Sequence, residues 1–506
     1  MGDVAEQPEM NAASPPQSSR RKHKSLKGWL LALLRWTIAV GGIWWVLAQI
    51  SLRDRVTILD ENQQPVRAAL VHPVGEDANL PASFDVVESK TGKTRTVTRR
   101  DLVNLPEKNK TIRWGTANVL SPVLALHLSS DLKKVQQILV EDPQTKRGLW
   151  IDPTQVNGGY RLDVPHPLVE EGLSHMVRRA NPWLLLLAIV IFPITYIITS
   201  YRWNKLLKAL EVNLPQSRTF VLNMVGAFYN TFLPGSTGGD AFKAYYASKH
   251  TTHRTRAVMS VIIDRIIGLL ALVIMGGVIS AWQYARIGTT EDPVARACRG
   301  VAIMAVLILG ATAAGLAVFY IRPIRRAVGL DFILSRLPMQ KQVQHAVHVM
   351  EVYRSRPWLV LWALLVTFPV HVTVVVSAMF AGMAFDLHLS PGYYFVAVPV
   401  IVLVGAIPIS VQGAGVMEYF AIMLTERQGC TISEAFALTM SIRLVQILWN
   451  LTGGIFVLRG GYHAPTESEQ HELQSDDADD VAAQRTGVLE PSAAGGNGVA
   501  ERAGGL

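Results

Sequence analysis

Asn230-Thr-Phe-Leu-Pro-Gly-Ser-Thr-Gly-Gly-Asp-Ala-Phe-Lys243 interrupts a long apolar run in this chain. Pro234 lacks a backbone donor and the glycines permit turns, so a helix passing through this stretch must break. A second interruption, Pro408-Ile-Ser-Val-Gln-Gly-Ala-Gly-Val-Met-Glu418, lies nearly two hundred residues further on. In a bilayer, broken backbone survives only where protein buries it or where it lines a wet cavity. Two Pro/Gly-broken apolar segments, each followed by an acid, are therefore read as the two sides of a binding site at membrane depth.

The bulk composition agrees. Of 506 residues, 50% are hydrophobic and 17% charged, against about 25% charged for a soluble domain. The formal charge of +9 does not point to nucleic acid, because the basic residues sit beside apolar segments rather than in one patch. Cys298 and Cys430 offer neither a disulfide framework nor metal-ligand spacing. No cofactor is expected.

Five ordinary spans are predicted at about 182–201, 258–281, 300–321, 358–383 and 435–458, with broken segments near 218–248 and 393–425. Residues 1–27 form a disordered basic arm, followed by a first span at 28–50 that is read as an uncleaved signal anchor. Residues 51–178 show partial strand alternation at Arg55–Leu59, Ser83–Val87 and Thr94–Thr98, with Lys134–Val140 a strand or a short helix. They predict a small mostly-β extracytoplasmic insertion. Residues 461–506 are acidic and Gly/Ala-rich, a disordered tail. The fold class is thus an all-α polytopic membrane protein with two re-entrant or broken helical segments and a β insertion.

Orientation follows from Arg202, Lys205 and Lys208 after the second span, Lys249, Arg254 and Arg256 before the third, and the basic loop from Arg322 to Arg356. All three groups fall on the cytoplasmic side only if 218–248 enters and leaves by that face. Both termini are then expected in the cytoplasm, with the protein in the inner membrane.

Several residues could carry chemistry. A half-helix beginning near Asp240, after Gly238 and Gly239, would present free N–H groups to an anion, although Asp240 as its N-cap is the somewhat better reading. Lys243 could meet a phosphate or snorkel to the surface, the two readings being even. Asp264 and Arg265 interrupt an apolar segment and lie about 100° apart on a helix, so each needs another partner. Gln412 and Gly413 belong to an irregular link before Glu418, whose carboxylate is costly at that depth unless paired. Arg443 could pair with Glu418, with Asp264 or with a lipid head group. His345 and His348 read as a surface pair. No catalytic or nucleotide-binding motif is present.

Phe232–Lys243, then Asp264-Arg265-Ile-Ile-Gly-Leu-Leu270, then Ile407–Glu418 resemble, in that order, the flippase-like family formed by the transmembrane region of lysylphosphatidylglycerol synthases. Arg202-Trp203 and Arg443 fit the same pattern. The resemblance covers about 181–460. It implies a helical membrane domain with re-entrant segments that moves polar lipids between leaflets. The expected site of an anionic or zwitterionic head group comprises Gly238, Gly239, Asp240, Lys243, Asp264, Arg265, Gln412, Gly413, Glu418 and Arg443. Within it, the half-helix start at Gly238–Asp240, Arg265 and Arg443 are expected to bind the head group, and Asp240, Asp264 and Glu418 to orient the arginines or couple movement to protons. Bifunctional relatives append an aminoacyltransferase domain, for which nothing after Gly460 is suited. The family gives no guidance on 51–178. A partner in envelope assembly could dock there, a membrane-embedded transferase is a rival reading, and homo-oligomerisation is left open.

Overall fold

A computed structural model describes residues 51–72, 81–88, 91–106, 110–128, 134–160, 168–232, 238–251, 254–287, 293–327, 349–407, 413–459 and 462, together with Trp44 in a helix. The basic arm, the acidic tail, His345 and His348 lie outside the described residues, as does the first span apart from Trp44.

The insertion is all antiparallel. Its strands are β1 (Arg55–Leu59), β2 (Pro65–Leu70), β3 (Ser83–Glu88), β4 (Thr94–Thr98), β5 (Thr111–Trp114), β6 (Val119–Leu128), β7 (Val135–Glu141), β8 (Gly148–Ile151) and β9 (Val169–Glu170). One sheet has the order β4-β3-β2-β1-β9 and the other β5-β6-β7-β8. Alternation drives the pairing: along β2, Val66, Ala68 and Leu70 are buried while the residues between them are half-exposed. The stretch that sequence left between strand and helix forms β7, whose Ile138, Leu139 and Val140 are all buried.

The two ends of the insertion meet. Asp54, just before β1, accepts a hydrogen bond from Gly172 N at 2.8 Å through one carboxylate oxygen and lies 2.9 Å from His175 Nδ1 through the other. Arg55 of β1 pairs in register with Glu170 of β9. The start of the β region is therefore held against its end and against the first turn of the helix that follows.

The helical region comprises α1 (Leu173–Arg179), α2 (Pro182–Ile191), α3 (Ile194–Ala209), α4 (Gln216–Phe232), α5 (Gly238–Ser248), α6 (Arg254–Ile287), α7 (Pro293–Tyr320), α8 (Arg322–Ala327), α9 (Pro357–Ala384), α10 (Pro391–Ala406), α11 (Val416–Thr425), α12 (Ile432–Thr452) and α13 (Gly454–Leu458). Five helical stretches among the described residues are long and apolar enough to cross a membrane: Pro182–Ala209, Arg254–Ile287, Ala295–Tyr320, Pro357–Ala384 and Ile432–Leu458. These are the five predicted spans. Pro193 separates α2 from α3 within the first of them. Outward faces remain apolar, with Val306 and Leu307 on α7 and Leu361 and Leu365 on α9 exposed, as lipid contact requires.

Each interrupted segment yields two shorter helices, α4 with α5 and α10 with α11. The first pair folds back so closely that a Cβ on Gly239 would lie 1.8 Å from the Gly226 carbonyl oxygen. Asn230 at the end of α4 accepts from Gly239 N at 2.7 Å, satisfying one of the free donors at the start of α5. In the second pair, Gly413 and Gly415 take φ of +69° and +81°, a left-handed backbone suited to glycine.

Two outcomes check this architecture. Gly239→Ala must push α4 and α5 apart, with an expected loss of about 1–3 kcal/mol, read as a lowered Tm of the purified protein in detergent. Separately, His388, between α9 and α10, lies 2.8 Å from Glu434 in the first turn of α12. That hydrogen bond, helped by the charges of Glu434, Asp386 and Glu171, holds the His388 imidazole above its ordinary value against the effect of burial. The stabilisation is complete below the unfolded value and is lost as pH rises through the folded one. Tm should therefore fall across that window in the wild type, and His388→Ala should flatten the step.

Candidate functional site

The charged residues converge on α6. Asp264 is buried at 7% exposure. Its Oδ1 accepts from Arg202 Nε of α3 at 2.9 Å and its Oδ2 from Lys243 Nζ of α5 at 3.3 Å. Arg202 also donates to Thr367 Oγ1 on α9 at 2.6 Å and to the Asp264 carbonyl at 3.1 Å. Lys243 Nζ stands 4.0 Å from the centre of the Trp203 ring, and Trp203 donates through its indole N–H to Ser260 at 3.1 Å. One carboxylate thus ties three helices together through two cations.

Arg265, the next residue, points elsewhere, as a 100° step demands. Its guanidinium pairs with Asp240 in the first turn of α5 and donates to the Ala406 carbonyl at the end of α10 at 3.2 Å. This pair is about a quarter exposed on each side, unlike the cluster at Asp264. Asp240 therefore serves as an ion-pair partner within α5 rather than as the N-cap, and Lys243 is buried rather than snorkelling to the surface.

Both clusters line one cavity of about 350 Å³ between α3, α4, α5, α6, α9, α10 and α12. Arg202, Asp240, Lys243, Asp264 and Arg265 form its charged side, with His371 bound to the Gly268 carbonyl at 2.9 Å. Uncharged polar side chains from α3, α4 and α12 complete the polar lining: Tyr196, Thr199, Asn223, Asn230, Gln446 and Asn450. The arrangement can hold a polar, charged group within an apolar bundle.

Glu418 and Arg443 do not line this cavity. Of the partners open to Arg443, the structure selects Glu418, with 2.7 Å between Nη1 and Oε1. The other Glu418 oxygen accepts from Gly415 N at 2.8 Å and so fixes the start of α11. This is a structural pair joining α11 to α12. Gly413 packs against Gly405 beside it, and Gln412 lies outside the described residues. Gly238 and Gly239 open α5, but the Gly239 donor is taken by Asn230.

Arg202 carries more than the sequence suggested. It reads as a basic residue flanking a span, yet it lies within α3 at 4% exposure and organises the buried cluster. Its adjacency to Trp203 is the one local sign, since both side chains turn toward Asp264 and Lys243. The neutral part of the cavity lining gave little signal, because single amides and hydroxyls in apolar helices are common.

Fold and site together define a polytopic helical membrane protein with a charged cavity between broken and continuous helices. Residues 171–454, more than half of the chain, match the family described as the lysylphosphatidylglycerol synthase TM region, and the chain belongs to that family. It is also similar to the UPF0104 membrane protein PH1989 of Pyrococcus horikoshii, at 30% identity over 102 residues, covering 20% of this chain and 30% of that relative. The UPF0104 membrane protein MJ1595 of Methanocaldococcus jannaschii is 30% identical over 101 residues, 19% of this chain and 30% of its own length. The chain thus spans under a third of these curated relatives.

If Glu418 and Arg443 act as a structural unit, Glu418→Gln and Arg443→Met should each destabilise by about 3–5 kcal/mol, because each leaves a buried charge alone. The double variant should cost clearly less than the two losses combined. Thermal unfolding of the four proteins in detergent reads this coupling directly.

Proposed function

We propose that the protein moves a polar lipid between membrane leaflets, its anionic or zwitterionic head group passing through the cavity while the acyl chains stay in lipid. The observation that carries this reading is the cavity itself. A space lined by three cations and two carboxylates, between helices with apolar outer faces, is costly to maintain for packing alone. Membership of a family whose name refers to a phospholipid synthase adds support. Arg265, Asp240 and the start of α5 receive the head group on this reading, while Arg202, Lys243 and Asp264 shape the wall behind it. Glu418 and Arg443 act at one remove, by holding α11 against α12.

The same reading puts the protein in the cytoplasmic membrane with both termini inside and the β insertion outside. The pair α4 and α5 then enters and leaves by the cytoplasmic face as a re-entrant hairpin, keeping Lys249, Arg254 and Arg256 on that side. Exposed Leu120 and Leu149 on the insertion favour a second role for that domain, docking a partner in envelope lipid or glycan assembly.

Liposomes carrying the purified protein and fluorescent lipids of several head-group classes test the proposal through exposure to an outside quencher. Wild type should accelerate exposure. Arg265→Ala and Asp240→Asn should slow it by about tenfold or more, as loss of a charge-assisted contact of about 1.5–3 kcal/mol implies. No acceleration for any head group would overturn autonomous lipid movement and favour the assembly role.

A further inference from the structure

The charged and the neutral residues lining the cavity both bear on which head group fits. Among the charged ones, Arg202, Lys243 and Arg265 outnumber Asp240 and Asp264 by one, with His371 counted as neutral. Both carboxylates are already engaged: Asp264 by Arg202 and Lys243, Asp240 by Arg265. An incoming ammonium would meet surplus positive charge and displace a guanidinium or the Lys243 ammonium to reach an acid. A group with one negative charge would complete the balance instead.

The neutral part of the lining offers hydrogen-bonding capacity. Asn450 accepts from Tyr196 Oη at 2.6 Å, which leaves its amide N–H groups. Asn223 spends its N–H groups on Thr199 and Ser200, both at 3.1 Å, which leaves its carbonyl oxygen. Asn230 spends its oxygen on Gly239 N and keeps its N–H groups. Gln446 lines the cavity and makes no hydrogen bond among the described residues. Donors and acceptors interleaved in this way match hydroxyl groups, each of which is both. An ammonium is a donor alone and would leave the amide N–H groups facing like dipoles.

From these observations we infer that the cavity selects an anionic phosphodiester with a hydroxyl-bearing head, such as one carrying glycerol, and disfavours a cationic aminoacylated head. The inference deepens the lipid-movement reading and rests on the cavity being its head-group site. A volume of about 350 Å³ leaves room for a phosphate and a small polyol. Selection would thus run against the lysyl-bearing lipid for which the family is named.

Native mass spectrometry of the full-length protein in detergent tests this. The probes are phosphatidylglycerol, phosphatidylethanolamine and lysylphosphatidylglycerol with identical acyl chains, mixed in equal amounts. Phosphatidylglycerol should be retained about tenfold over either competitor, a difference of about 1.4 kcal/mol, and free glycerol phosphate should displace it. Gln446→Glu adds a carboxylate at an exposed position of α12 and should move the ratio toward the lysyl lipid by a similar factor. Equal retention of the three lipids, preference for the lysyl lipid by wild type, or an unchanged ratio in Gln446→Glu each overturns the inference. Failure of displacement by glycerol phosphate assigns binding to acyl chains and also overturns it. Binding is read without transport, so selective retention with no quencher-detected movement would overturn the translocation reading alone. Movement of all three lipids at one rate, with unselective retention, would overturn this inference alone.

Discussion

Asp264 is the point on which the helical region depends. A carboxylate at 7% exposure in an apolar bundle is sustained because two cations reach it from separate helices. Arg202 arrives from α3 and Lys243 from α5, and each is fixed by a further contact, with Thr367 and with the Trp203 ring. The desolvation of each charge is offset only while all the partners remain in register. The arrangement consequently specifies how α3, α5, α6 and α9 sit relative to one another, which dispersion between apolar faces does only weakly in lipid. It also sets the neighbouring site: with Asp264 committed inward, Arg265 is turned toward Asp240 and the open part of the cavity.

The small residues of the first broken segment complement this electrostatic frame. Gly226 and Gly239 allow α4 and α5 to approach at backbone contact, and that proximity brings Asp240 and Lys243 within reach of α6. A wider pairing would leave Asp264 with Arg202 alone. Close packing of glycines and the buried ion pairs are thus one design, in which the first sets the distances that the second requires.

How much of this was legible in the sequence depends on the kind of residue. The five long apolar helices were visible because bilayer thickness imposes length and composition together. The two breaks were visible because Pro234, Pro408 and the glycines near them carry strong backbone signals, and strands β1, β3 and β4 followed from alternation and turn residues. Asp264 and Arg265 stood out as charges among apolar neighbours. Their partners did not, since pairing depends on the rotation and approach of helices distant in sequence. Arg202 looked like a flanking residue because burial at the end of a span and exposure at the membrane surface have the same local sequence. Glu418 and Arg443 were recognised as a candidate pair, yet their separation from the cavity needed the crossing of α11 and α12. Asn223, Asn230, Gln446 and Asn450 show the limit most clearly: a neutral amide on a helix acquires meaning only once the rest of the cavity lining is known.

The clasp at Asp54 has a consequence for how such a chain can change. Because β1 and β9 pair side by side, the stretch from Arg55 to Glu170 has its two ends already joined. Closing those ends adds only a slowly growing entropic cost however long the intervening stretch becomes. The match to the family begins at residue 171, at this seam. The stretch between β1 and β9 is therefore the part of the chain in which a change of length is expected to cost least in chain closure.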